Sequence, residues 1–215
     1  MRTERGLERL VFFTDAITAI AITLLILPLV DLVPDADENY KNAGDFLQAH
    51  LGELVSFVVS FAVIARLWIG HHSLFEHVRA YSPRLLILTL LWAFTIVILP
   101  LPTAIFSEYS PSFTTVAFYI GTMAASSLCL TAMTLVVRRS PELESPDNPV
   151  SDRSLVGSAA TSIAFVVALV LGSLVIQVNF WALLLLAVTP PFERIVVRRM
   201  AARKQPRLKE RDDAL

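Results

Sequence analysis

The chain has 215 residues, of which 55% are hydrophobic and 17% are charged, and its formal net charge is −1. A mean hydropathy of +0.63 is too high for a soluble domain of this size, so the charged residues must be concentrated outside long apolar segments. The composition therefore predicts an all-α integral membrane protein. The single cysteine, Cys129, lies in an apolar run, so no disulfide bond can form within the chain.

Six apolar segments are long enough to cross a bilayer as helices. They lie at about residues 10–30, 50–72, 84–106, 113–137, 154–177 and 180–199. They predict a single six-helix transmembrane domain over residues 1–200, followed by a charged cytoplasmic tail over residues 201–215. A cleaved signal peptide is the alternative for the first segment, but its apolar core would be shorter and would be followed by a cleavage site.

The segments between and within these spans carry recognisable breaking signals. Residues 31–48 form an acidic loop that we expect to include a short non-spanning turn, and a Ser-Pro pair ending at Pro83 predicts the start of the third helix. Pro100 and Pro102 predict that this helix bends or ends there, because each removes a backbone donor. Residues 138–153 contain proline, serine and acidic residues, which predict a flexible loop.

The basic residues predict the orientation in the membrane. When alternate loops are assigned to opposite sides, Lys41 is the only one of the 18 Lys and Arg residues on its side of the membrane. Because basic residues concentrate on the cytoplasmic side, this distribution predicts that both termini are cytoplasmic. The expected location is a cell membrane that the chain crosses several times.

Asp15 is the only ionisable side chain in the first span after Arg9. A carboxylate inside a membrane helix costs a few kcal/mol, about 2.5 to 3.5 by insertion scales, unless it is paired or hydrated. Arg9 precedes it by six residues, about 240° around the helix, and so cannot face it. An antiparallel hairpin of the first two spans places Asp15 at the depth of Arg66, Trp68 and His71, so we expect its partner there, with Arg66 as an additional candidate.

One face of the first span carries small, apolar and hydroxyl side chains. They follow Ala16 at helical spacing and are Ile20, Thr23, Leu24 and Leu27. From the residues alone, this stripe could face lipid, another helix or an aqueous pathway.

Three segments in the first half of the chain carry a specific pattern: Arg9 with Phe13-Thr14-Asp15-Ala16 and Ile20 to Leu25, the segment Trp68 to Phe75, and Leu99 to Thr103. Together they resemble the transmembrane protein 175 family, the potassium channels of lysosomes and their prokaryotic relatives. The family usually has Phe-Ser-Asp in its first motif, and Thr14 keeps the hydroxyl of that serine. The second half of the chain resembles the family only in layout.

The resemblance implies a potassium-permeable cation channel in the bilayer. It also implies that the chain forms a homo-oligomer, specifically a homotetramer, in which the first helix of each chain lines a central pore. It places a hydrophobic constriction at Ile20, and it implies two sets of functional residues. The pore-lining set is Ile20, Thr23, Leu24 and Leu27, and the set that forms a supporting polar network is Arg9, Asp15, Trp68 and His71. Potassium is then the permeant ion, and we expect no cofactor and no nucleic-acid partner.

Missing motifs narrow the function further. The chain has no Thr-Val-Gly-Tyr-Gly loop, which excludes the usual carbonyl selectivity filter. It also lacks a phosphate-binding glycine loop, Gly-x-Ser-x-Gly and His-Glu-x-x-His, so we do not expect an enzyme. A secondary transporter of a small cation or proton remains the alternative, for which the prolines in the helices are the main indication. A structural or assembly protein is the third class.

A histidine-rich segment at the end of the second span suggests a metal site. His72 and Glu76 stand four residues apart, beside His71 and His77. Zinc sites use three or four converging ligands, whereas this segment lies at a helix end beside water. We therefore expect no bound metal, and a histidine there could instead respond to pH or anchor the helix at the interface.

Overall fold

The computed structural model describes residues 4–34, 40–110 and 112–174. Apart from one isolated β-bridge between Val78 and Glu144, the regular elements of this part are helices. In chain order they are α1 Glu4–Leu24, α2 Leu27–Val30, α3 Ala43–Ala49, α4 Leu51–Phe75, α5 Pro83–Ile98, α6 Pro100–Glu108, α7 Phe113–Arg138 and α8 Asp152–Leu174. The predicted sixth span at 180–199 and the tail at 201–215 lie outside the described residues.

Five helical segments of the described chain are long and apolar enough to cross a membrane. They are α1 with α2 (Glu4–Val30), α4, α5 with α6 (Pro83–Glu108), α7 and α8. These segments correspond to the first five predicted spans and make the chain a multi-pass membrane protein. The first helix begins at Glu4, earlier than predicted, because hydropathy reports where apolar residues begin and a helix can continue past them into water.

Proline interrupts the first span. The helix α1 ends at Leu24, four residues before Pro28, and α2 resumes at Leu27. The proline has no N–H to donate, and its ring collides with the carbonyl group four residues earlier in a continuous helix. The break therefore lies at Leu25 and Ile26.

The prolines of the third span were predicted to bend or end its helix, and the structure shows the helix interrupted at Leu99. Here α5 ends and α6 begins, with Pro100 as the first residue of α6. The Leu99 amide donates to the Ile96 carbonyl at 3.2 Å. The Leu99 carbonyl accepts from the Thr103 amide and also from the Thr103 hydroxyl, at 3.2 and 2.8 Å, so the polar groups near the break find partners inside the protein.

Two of the three predictions made for the segments between the spans agree with the structure. The acidic first loop contains the short helix α3, and Ser82 caps α5 by accepting a hydrogen bond from the Leu85 amide at 3.2 Å. Residues 138–153 differ from the predicted flexible loop, because backbone hydrogen bonds join this loop to the link between α4 and α5. The bonds run from Arg79 N to Leu143 O at 2.9 Å and from Ser145 N to His77 O at 2.8 Å.

The helix α7 is central to the packing and contacts α4, α5, α6 and α8. Hydroxyl groups join it to α8, where Ser162 lies 2.9 Å from Ser127 and 2.8 Å from Thr131. Small polar residues allow membrane helices to approach closely and bond to one another. The helix α1 lies at the edge of this arrangement, where it contacts α4, α5 and α6.

Candidate functional site

The Asp15 side chain is partly buried and has its partner on the second span. The Trp68 indole Nε1–H donates a hydrogen bond to Asp15 Oδ1 at 2.8 Å. This bond joins the middle of α1 to the final third of α4, at the relative depth expected for an antiparallel pair. It gives an acidic group inside the membrane a donor and fixes the rotation of α1 against α4.

His71 lies one turn beyond Trp68 but does not join this bond. Its ring is fully buried and stacks on Trp92 of α5 and on Phe75, with centroid separations of 4.1 and 4.4 Å. Within the described residues, neither of its ring nitrogens has a hydrogen-bond partner, nor does Trp92 Nε1. His71 therefore contributes to the packing of α4 against α5 and, among the described residues, makes no hydrogen bond to Asp15.

The two arginines that sequence analysis places near Asp15 are both exposed. Arg9 is at the cytoplasmic end predicted for α1, and Arg66 lies on the surface of α4. Within the described part of the chain, neither has a hydrogen bond or an ion pair. Asp15 and Trp68 are thus the only two members of the predicted polar network that the structure bonds directly to each other, and the additional Asp15–Arg66 pair is absent from the described residues.

One face of α1 is packed against the rest of the chain. Its buried residues are Leu10, Thr14, Thr18 and Ala21, and Leu25, which follows the end of the helix, is buried on the same side. The threonine hydroxyls donate to carbonyls of the preceding turn, from Thr14 to Val11 at 2.8 Å and from Thr18 to Thr14 at 2.9 Å. These groups are therefore satisfied within α1, and the packed face needs no water.

The opposite face of α1 and α2 is exposed in the single chain. It holds all four residues of the predicted pore-lining set, among which Ile20 is 59%, Leu24 40% and Leu27 48% exposed. The Thr23 hydroxyl, also exposed, donates to the Ile20 carbonyl at 2.8 Å. Phe12 and Phe13 extend the same face toward the N-terminus, so it is longer than the four predicted residues.

The histidine-rich segment does not converge. His72 Nε2 lies 3.7 Å from Glu76 Oε1, His77 donates from Nδ1 to the Asn148 carbonyl at 2.9 Å, and His71 points into the core. Within the described ranges, no three His, Cys, Asp or Glu side chains come together as metal ligands would.

A chain of buried hydroxyls was missed by sequence analysis. The Thr103 hydroxyl on α6 lies 3.0 Å from Ser60 Oγ on α4, and Ser60 Oγ lies 2.7 Å from the Tyr119 hydroxyl on α7. Three helices are joined through these groups. The proximity of Thr103 to two prolines was the available signal, but Ser60 and Tyr119 are isolated polar residues in apolar helices and carry no local pattern.

Comparison with known proteins agrees with the motifs in the first half of the chain. The family model described as endosomal/lysosomal potassium channel TMEM175 matches residues 9–100. A potassium channel of Streptomyces collinus is 33% identical over 159 residues, which cover 71% of this chain and 76% of that protein. The endosomal/lysosomal proton channel TMEM175 of Bos taurus is 43% identical over 93 residues, which cover 40% of this chain but only 19% of the bovine protein.

A solved structure has a similar fold. The crystal structure of a lysosomal potassium-selective channel TMEM175 homolog from Chamaesiphon minutus superimposes with a TM-score of 0.63 and 20% sequence identity. The match covers 91% of this chain and 98% of that chain. At this level of identity the likeness concerns the arrangement of helices.

Proposed function

The chain belongs to the TMEM175 family of ion channels, and we propose that it is a potassium-permeable cation channel whose pore is lined by the first helix of each subunit. The Streptomyces relative is named a potassium channel. The solved homolog is titled a potassium-selective channel. Permeation in this proposal needs no cofactor and no chemical step.

The observation that carries the proposal is the two-sided character of α1. Thr14, Thr18 and Ala21 are buried on its packed face, and the bond from Trp68 to Asp15 holds its rotation. Its other face presents Ile20, with more than half of its side chain exposed, to whatever lies outside the chain. A helix held in this way can present a defined stripe to a pore.

A pore lined by α1 requires several copies of the chain, because one chain supplies one such helix. We propose a homotetramer, as the family resemblance implies. Symmetry then stacks rings of Ile20, Leu24 and Leu27, with about 5.4 Å for each helical turn. A narrow ring of isoleucine side chains gates by excluding water, and conduction requires it to widen.

Thr23 gives this pathway its one hydroxyl group. Its proton is donated to the Ile20 carbonyl, so the lone pairs of the hydroxyl oxygen are free to meet a passing cation. A cation beyond the Ile20 ring would therefore find an oxygen ligand at the next turn. In a tetramer, a ring of four Thr23 hydroxyl groups could contact a passing potassium ion, although it would not form a carbonyl selectivity filter.

Proton transport is the second candidate function, because the bovine relative is named a proton channel. Flux measurements on the purified protein in liposomes separate the classes. A passive potassium channel carries potassium current without a proton gradient, a proton channel carries protons without potassium, a coupled transporter moves potassium only with the proton gradient, and an assembly protein carries neither ion.

The sharper test of the constriction is Ile20→Asn, studied by single-channel recording in bilayers with potassium on one side and sodium on the other. The amide should hydrate the constriction, so we expect a larger conductance and a reversal potential shifted toward equal permeability. Ile163→Asn is the matched control, since Ile163 is 64% exposed and lies in the middle of α8. Unchanged conductance in Ile20→Asn, or the same change in Ile163→Asn, would place the pathway on another face.

A further inference from the structure

A cavity of about 250 Å³ lies between α4, α7 and α8, away from the exposed face of α1. It extends along α4 from Arg66 to His77, which follows the end of that helix, and along α8 from Arg153 to Thr161. Arg66 precedes the end of α4 at Phe75 by nine residues, about 13 Å along the axis. The cavity therefore begins within the membrane and ends at the surface that the basic residues assign to the cytoplasm.

The charged side chains that line this cavity in the described residues are all positive. The charged residues of its described lining are Arg66 and Arg153, and none of the described lining residues is an aspartate or a glutamate. The Ser73 hydroxyl adds a possible donor, whereas the Thr161 hydroxyl donates to the Gly157 carbonyl and the Ser158 hydroxyl is bonded to Thr131. Guanidinium groups in a lining without carboxylates favour a bound anion, and arginine matches the geometry of a phosphate.

Arg66 places the positive charge of the cavity within the membrane. It is exposed on a membrane-spanning helix and has no ion pair within the described residues. An arginine at such a depth is costly unless it reaches water, a carbonyl group or an anion. Ile69, which is 50% exposed, and Ser73 lie on the same open edge of the cavity, so a molecule from the bilayer can enter beside Arg66.

We propose that this cavity binds the phosphate group of an anionic phospholipid from the cytoplasmic leaflet, with Arg66 and Arg153 as its charged contacts. The lipid is preferred to a free phosphate because the walls near Arg66 are apolar, with Leu67 and Leu130 among them, and accommodate acyl chains. A zwitterionic lipid is a poorer fit, since the described lining offers no carboxylate to a choline group. Basic cavities between helices on the cytoplasmic side suit anionic head groups.

The test uses the full-length protein, purified and delipidated in a neutral detergent, with native mass spectrometry of added phosphatidylglycerol or phosphatidylcholine. We expect phosphatidylglycerol to bind more tightly, and Arg66→Gln or Arg153→Gln to lower its affinity by about tenfold to a hundredfold, as for the loss of a hydrogen bond to a charged group. Ser73→Phe fills the cavity without changing the charge and should also reduce binding.

Arg84→Gln is the matched control, because Arg84 is an exposed arginine of a separate cleft beside α7. This variant loses the same charge as Arg66→Gln and should leave phosphatidylglycerol binding unchanged. The elution volume of each variant in size-exclusion chromatography verifies that it assembles. The proposal is overturned if both lipids bind equally, if Arg84→Gln loses as much binding as Arg66→Gln, or if assembled Arg66→Gln and Ser73→Phe bind as the unmodified protein does. Displacement of the lipid by an equal concentration of inorganic phosphate would identify a free anion as the ligand and would also overturn it.

Discussion

Asp15 and Trp68 form the interaction on which the position of α1 depends most directly. Asp15 is a few turns inside the membrane and partly buried, and the 2.8 Å bond from the Trp68 indole satisfies one of its oxygens. A carboxylate in this position has few other donors, because Arg9 and Arg66 are turned outward. The bond is therefore expected to contribute to both stability and the orientation of the exposed stripe.

We predict that Trp68→Phe, which keeps an aromatic ring and removes the N–H, destabilises the protein by about 1 to 3 kcal/mol. Thermal unfolding of the detergent-solubilised protein measures the loss. Asp15→Asn keeps an acceptor oxygen for the indole and should cost less than Trp68→Phe. A double mutant whose loss equals the sum of the single losses would mean that the two side chains do not interact.

The elements are joined by interactions that cross the bend of the third span. Pro100 separates α5 from α6, and the Thr103 hydroxyl then bonds both to the Leu99 carbonyl and to Ser60 on α4. Tyr119 extends the connection to α7. The break in the helix thus occurs where hydrogen bonds join three helices.

We predict that Thr103→Val destabilises the protein by about 0.5 to 1.5 kcal/mol, because it removes an interhelical hydrogen bond and retains the side-chain shape. Thr95→Val is the matched control on the neighbouring helix, since the Thr95 hydroxyl donates only to the Trp92 carbonyl of its own helix among the described residues. The measurement is the midpoint of unfolding in a mixed-micelle titration. Equal losses in the two variants would contradict a role for the bond between Thr103 and Ser60.

For the whole molecule, the orientation in the membrane remains a prediction from the basic residues. It places the loop that contains Lys41 outside and the loop at residues 138–153 in the cytoplasm. Both positions are accessible, since Lys41 and Glu142 are exposed. The single cysteine makes a labelling experiment straightforward, because Cys129→Ala gives a background without thiols.

In that background, we expect Lys41→Cys to react with a membrane-impermeant maleimide added to intact cells, and Glu142→Cys to react only after the membrane is opened. The electrophoretic shift of the labelled protein measures the reaction. Reaction of Glu142→Cys alone in intact cells would reverse the orientation, and reaction of both would contradict the number of spans between them.

The sequence by itself determined the membrane class, the first five spans and the family, because hydropathy and spaced motifs are properties of neighbouring residues. It also predicted the break at Pro100 and the cap at Ser82, which depend on backbone chemistry within a few residues. The sequence-based prediction placed Asp15 at the depth of Arg66, Trp68 and His71, and the structure shows that Trp68 is the one that bonds to it.

Tertiary structure alone decided which partner each polar group takes. His71 and Trp68 share a face of α4, yet Trp68 meets Asp15 whereas His71 stacks on Trp92. The chain of hydroxyls from Thr103 to Tyr119 joins three helices that are far apart in sequence. The partner of each polar side chain depends on the separation and rotation of the packed helices, whereas helical periodicity fixes only which side chains share a face.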